Sequence, residues 1–259
     1  MRKGDGLLLS VVLLSLGLLL ADLVSDGRLG ALLDERLPGL ALTAGRRLAQ
    51  LGLWISPVLL VPLVSGLTGR FLPLPSQTWS LLGAIVTRID AITETIAGAA
   101  RWFALGLVVA TAIIVIQRYV FGYASTKLAE SVIYMHALLF LLSSGSALLH
   151  GGHVRVDVFY AKMSERGRAW VDLLGTYLAL IPMSLLILWS STGYLSSTWR
   201  ILESSRESDG LAFVFLLKTA IPLFAILMIL QGFSMAARAA ATLAGQAAPA
   251  LPASAEGEL

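Results

Sequence analysis

The chain of 259 residues carries three histidines and no cysteine, so the side chains able to do chemistry are few. His136 lies in an apolar stretch, where an imidazole can relay a proton or ligate haem or a metal. His150 and His153 have the spacing of zinc ligands, but no third ligand of evident kind accompanies them and both border glycines. A bis-histidine haem takes its ligands from matching depths on facing helices, whereas these three histidines share one helix and the turn after it. A haem-binding anchor using His136 therefore stands as an alternative only. The missing cysteines exclude disulfides, iron–sulfur clusters and thiol catalysis. There is no Ser, His and Asp arrangement, no phosphate-cradling glycine loop and no carboxylate pair in a common environment. The expectation is a protein without catalytic residues, cofactor or bound metal, and not an enzyme.

The elements that must position these residues are membrane spans. Hydrophobic residues make up 57% of the chain and charged residues 14%, against roughly a quarter charged in a soluble domain, and the mean hydropathy is +0.81. The 19 Lys plus Arg and 16 Asp plus Glu are spread without a basic block that could follow a phosphate backbone, so nucleic acid is not expected as a partner. Six charge-free windows approach the length needed to cross a bilayer: 6–21, 48–69, 102–117, 131–149, 173–199 and 219–237. The last four are bounded by charges, Arg101 and Arg118, Glu130 and Arg155, Asp172 and Arg200, Lys218 and Arg238. Trp189, Tyr194 and Trp199 suit the interfacial ends of the long fifth window.

The first two windows differ from the rest. Arg2 and Lys3 before a short leucine-rich stretch also fit a signal peptide, although residues 21–25 lack a convincing small-residue pair for cleavage. Pro57 and Pro62 interrupt the second window, which predicts a kinked helix whose freed carbonyls are satisfied by neighbouring helices or local adjustment. Leu29, Leu32, Leu33 and Leu37 form a short amphipathic stripe before Pro38. A longer stripe, Leu82, Ile85, Ile89, Ile92 and Ile96, carries Thr87, Arg88, Asp90, Glu94 and Thr95 on its other faces. This pattern predicts a helix on the membrane surface or against a partner, or an ordinary amphipathic linker. The fold class expected is all-α, a polytopic membrane helix bundle of four core helices, two extra N-terminal hydrophobic helices and an amphipathic surface helix. Its divisions are 1–75, 76–98, 99–242 and a disordered tail at 243–259.

No Asp, Glu, Lys or Arg falls inside any of the six windows. A self-sufficient carrier needs ionisable groups or broken helices at membrane depth, and commonly an internal repeat; neither pattern is evident. His136, Ser143, Ser144, Ser146, Ser184, Ser190, Ser191, Thr192 and Gln231 read mainly as helix-packing groups. An independent small channel or carrier remains a competing reading. Alternate loops carry nearly equal Lys plus Arg, and restricting the count to the last four spans favours both termini and the loop from Arg155 to Arg168 inside.

The most distinctive stretch is Gly151-Gly152-His153-Val154-Arg155-Val156-Asp157-Val158-Phe159-Tyr160. Two glycines stop the preceding helix, and polar and apolar residues then alternate. An extended form puts His153, Arg155 and Asp157 on one side; a helical form lets His153 and Asp157 pair. This segment resembles the Gly-His-Val-Arg-Val-Asp loop of the DctQ-like family, the small membrane subunit of tripartite ATP-independent periplasmic (TRAP) transporters. Gln117-Arg118-Tyr119, Ala129-Glu130, Trp199 with Glu203, Leu216-Leu217-Lys218-Thr219-Ala220-Ile221-Pro222 and Leu230-Gln231-Gly232 extend the resemblance over about 85–240.

The resemblance implies a multi-pass protein of the bacterial inner membrane with a cytoplasmic Gly-His-Val-Arg-Val-Asp loop and both termini cytoplasmic. It implies a stationary, non-catalytic subunit in a cation-coupled system, beside a large membrane subunit that moves the substrate and a periplasmic binding protein that delivers it. The substrate expected is a small organic acid. Glu130, His153, Arg155, Asp157, Glu203 and Lys218 become candidate contacts with partner subunits or lipid. Lys218 also reads as a snorkelling cation and Arg155 as a charge that orients its loop. The two additional N-terminal segments depart from the family pattern of four core helices.

Overall fold

A computed structural model describes residues 4–69, 71–72, 74–152 and 157–252. Helices α1 (Asp5–Val24), α2 (Arg28–Ile55), α3 (Val61–Thr68), α4 (Ser76–Ala100) and α5 (Trp102–Val120) form the first half. The second contains α6 (Thr126–Leu149), α7 (Asp157–Tyr160), α8 (Glu165–Gly175), α9 (Ile181–Arg200) and α10 (Val214–Leu243). No strand occurs among the described residues. Six helical stretches are long and apolar enough to cross a membrane: Asp5–Val24, Arg28–Thr68, Ser76–Val120, Thr126–Leu149, Glu165–Arg200 and Val214–Leu243. Five of them contain a window read from the sequence, and the second covers its window, 48–69, up to Thr68.

The helices also run beyond those windows. α2 continues through Pro38 rather than ending at its short leucine stripe. A proline removes one main-chain donor, and flanking bonds can carry a helix across the gap. At the other two prolines the chain tightens into a 3₁₀ turn, Ser56–Leu60, with Pro57 in its first positions, before α3 opens with Pro62 in the same place. The Leu59 carbonyl, which the missing Pro62 N–H cannot serve, accepts a hydrogen bond from the Tyr177 hydroxyl. A side chain from a neighbouring helical segment thus fills the gap that proline leaves in an apolar medium.

The chain divides into two compact units. The first comprises 1–51, 95–143 and 189–223. Here the exposed leucines of α1 leave it without a buried residue, while Asp5 at its start accepts from the Trp102 indole N–H at 3.2 Å. Ala110 is the buried residue of α5. The second unit comprises 52–94, 144–188 and 224–259. Its core has two parts: Leu82, Val86 and Ile89 packed with Phe233 and Ala237, and Ala169 and Leu173 packed with Ala236, Ala239 and Leu243. The alanines of α10 permit close helix approach, the means by which apolar helices associate when both are equally at home in lipid.

The stripe on α4 is divided rather than uniformly buried. Leu82 and Ile89 are inside, whereas Ile85 and Ile92 are 42% and 51% exposed. Asp90 and Thr93 are buried instead. Periodicity identifies the faces of a helix, but in a membrane protein an outward apolar face meets hydrocarbon at little cost. The inward face can then carry polar residues if they find partners.

Candidate functional site

Three of the six expected contact residues, Glu130, Glu203 and Lys218, come together in the first unit around the connection from α9 to α10. Glu130 reaches it from the first turns of α6. One carboxylate oxygen accepts the Leu211 main-chain N–H at 2.6 Å, and the other accepts the Ser205 hydroxyl. Ser205 also bonds Leu211 through its main chain at 2.9 Å, and its hydroxyl accepts from the Glu207 N–H at 3.1 Å. Gly210 leaves room for this fold: a Cβ there would lie 2.9 Å from Glu130 Oε2 and closer still to the Ser205 side chain. The carboxylate therefore replaces the hydrogen bonds that regular structure would supply, and orders the connection.

Glu203 holds the root of the same connection. Its Oε2 accepts from Lys218 Nζ at 2.6 Å and from the Thr198 hydroxyl at 2.8 Å. The Lys218 hydrogen bond, with Thr198 second, holds the Glu203 carboxyl below the usual carboxylate range. Lys218 Nζ also lies 5.7 Å from the centre of the Tyr194 ring, within cation–π range. Trp199 donates to the Thr219 hydroxyl at 2.9 Å and packs edge-on against Phe215, with ring centres 4.8 Å apart. Lys127 and Asp209 add an exposed pair at 2.6 Å. Among the described residues the arrangement is a charged, hydrogen-bonded rim without a convergent donor set around an open reacting position.

The other three expected residues follow α6 in the chain. His153 and Arg155 lie outside the described residues, and Asp157 opens the short helix α7. The glycines before them do stop α6. Gly151 adopts a left-handed conformation, with φ 68°. Gly152 donates to the Ala147 carbonyl at 2.7 Å, and Gly151 donates to that of Leu148 at 3.2 Å. This is the paired bonding of a Schellman cap, in which the residue at positive φ favours glycine.

Among the histidines, His136 is exposed on α6. His150 Nε2 lies 3.0 Å from Glu94 Oε1, which also accepts the Ser146 hydroxyl at 2.6 Å. Among the described residues no group of three or more His, Cys, Asp or Glu side chains is placed to hold a metal ion.

The second unit contains a polar cluster that the sequence reading did not assemble. Asp90 Oδ1 accepts from Ser234 at 2.8 Å and from Gln231 at 3.3 Å, while Oδ2 pairs with Arg238. Arg238 also donates to the main-chain carbonyls of Pro249 at 3.0 Å and Ala250 at 3.3 Å. The useful sequence signal was an acidic residue on the polar side of a long stripe together with Gln231, Ser234 and Arg238 at helical spacing. Spacing alone could not join elements so distant in the chain.

Comparison with curated proteins and with solved structures gives no significant match. Residues 107–242 match the family model described as tripartite ATP-independent periplasmic transporters, DctQ component. That match covers the charged rim, the glycine-capped end of α6 and all of α10 up to Thr242. With six helical stretches suited to a membrane, these residues identify a multi-pass bacterial inner-membrane protein, and the chain belongs to the DctQ family of small TRAP transporter components.

Proposed function

We propose that the chain is the stationary, non-catalytic scaffold of a cation-coupled uptake system. In this reading a large membrane subunit binds and moves a small organic acid, and a periplasmic binding protein delivers it. The observation that carries the reading is the use to which the chain puts its charges. Glu130, Glu203 and Lys218 are committed to fixing a connection, and Asp90 and Arg238 to joining α4 with α10. A group that cycles a cation or substrate must be able to exchange partners, whereas these groups are occupied in holding helices and a loop in register.

The same reading assigns the rim at 201–213 and the start of α6 to the periplasmic face, with both termini and the Gly-His-Val-Arg-Val-Asp loop in the cytoplasm. Glu130, Glu203 and Lys218 then act by shaping a contact surface, and His153, Arg155 and Asp157 meet a partner subunit or lipid headgroups on the opposite face. The exposed apolar faces of α1 and α2 extend the surface available to the large subunit. Copurification with a large multi-span protein, and loss of binding-protein-dependent uptake when this chain is omitted, is the expected result. Undiminished uptake by the large subunit and binding protein alone would contradict the proposal.

A further inference from the structure

The second unit contains a cavity of about 410 Å³ lined by parts of α6, α8 and α10. It lies where α6 ends at Leu149 and α8 begins at Glu165, next to the C-terminal turns of α10. Helix ends of a membrane protein lie at the level of lipid headgroups. Arg168, Glu165, Asp172 and Gln231 line the cavity, with Leu149 and Met235 among its apolar contributors. Arg238 also reaches it but is already engaged by Asp90, Ser234 and two carbonyls.

Three features indicate what the cavity accepts. Arg168, exposed at the first turns of α8, makes no side-chain hydrogen bond or ion pair among the described residues and offers a forked donor to an oxyanion. Glu165 and Asp172 supply carboxylates on the same helix; Asp172 accepts the Tyr160 hydroxyl, at 2.8 Å, on its Oδ2, and its Oδ1 has no partner among the described residues. Gln231 is 1% exposed and its Oε1 has no hydrogen-bond partner, an acceptor left open in a buried side chain. Among the described residues, one free cation beside several unfilled acceptors does not describe a site for a simple anion. It suits a ligand that carries a negative group and a donor-rich cation together.

We propose that this cavity binds the headgroup of an aminophospholipid of the phosphatidylethanolamine class. The phosphodiester meets the Arg168 guanidinium, the primary ammonium supplies N–H donors to the acceptors of the cavity, and the apolar side receives the start of the acyl chains. The site is defined by the chain's own residues and does not depend on the scaffold reading; retention of lipid is measured without transport, so either idea can fail alone.

The test is native mass spectrometry of the full chain, stripped of lipid in neutral detergent and titrated with short-chain phosphatidylethanolamine, phosphatidylcholine, phosphatidylglycerol or inorganic phosphate. One phosphatidylethanolamine is expected to bind at least tenfold more tightly than the choline lipid, which lacks N–H donors, and than the glycerol lipid, which lacks a cation. Arg168→Gln should weaken all three phospholipids severalfold, since each carries the phosphodiester, and Glu165→Gln should narrow the gap between ethanolamine and choline. Equal binding of the three lipids, a preference for phosphatidylglycerol, equally good binding of inorganic phosphate, or undiminished phosphatidylethanolamine binding by Arg168→Gln would overturn the proposal. Circular dichroism of both variants is expected to match the parent, since each substituted side chain is exposed.

Discussion

Two ion pairs of similar chemistry occupy contrasting surroundings. Lys218 and Glu203 retain 32% and 27% of their side-chain exposure, whereas Arg238 and Asp90 retain 14% and 4%. The first pair helps to root a connection, and water can replace much of what either partner loses. The second lies among helices, with Ser234 and Gln231 filling further positions on Asp90. A carboxylate there depends on all its partners, because the interior offers little to replace one. The comparison separates charge that shapes a surface from charge that fixes helix packing. It also shows why charge in a helix of this family need not signal a transport pathway.

Breaking the buried pair should have the largest effect. Asp90→Ala leaves Arg238 without its carboxylate and should lower stability by about 3–5 kcal/mol, the range for an orphaned buried charge. Chemical unfolding in detergent measures it. The double substitution Asp90→Leu with Arg238→Met should recover most of that loss; equal losses in single and double variants would show that the pair is not its source.

The rim should respond locally instead. Glu130→Ala removes the acceptor for Leu211 and Ser205, so limited proteolysis within 201–213 should become severalfold faster while helix content is retained. Cleavage unchanged from the parent would remove Glu130 from its role in ordering the connection.

A smaller, pH-dependent effect belongs to Glu203. Its carboxyl is held below the ordinary value of 4.5 by Lys218 and Thr198, so its contribution to stability is present above that value and is lost as pH falls through the lower folded value. Glu203→Gln should flatten this part of the acid unfolding profile, leaving neutral-pH behaviour little altered; an acid limb identical to that of the parent would contradict the assignment. The smallest effect is expected from His136→Ala, within about 0.5 kcal/mol as for an exposed position away from special contacts, again read by unfolding in detergent.

The membrane helices were legible because the six apolar windows carry no charge and approach the length of a span, and the glycine stop after Leu149 was legible because a positive φ favours a particular residue type. Glu130, Glu203 and Lys218 could be singled out by family resemblance, but their convergence could not, since Glu130 acts on Leu211 and Ser205 far along the chain. The inward turn of Asp90 was hidden for a physical reason. On a helix that meets lipid, hydrophobicity marks the outer face as readily as the inner one, so the stripe of α4 fixes an axis but not its direction. Asp90 lies outside the family-matched residues and Arg238 within them, and only the folded chain reveals that pairing.

The most direct test of the scaffold account is solute flux into proteoliposomes containing this chain alone, under an imposed sodium or proton gradient and with a panel of small carboxylates. The account predicts no gradient-driven uptake above empty vesicles, with uptake appearing when the large subunit and loaded binding protein are added. Saturable, gradient-dependent uptake by the isolated chain would contradict it.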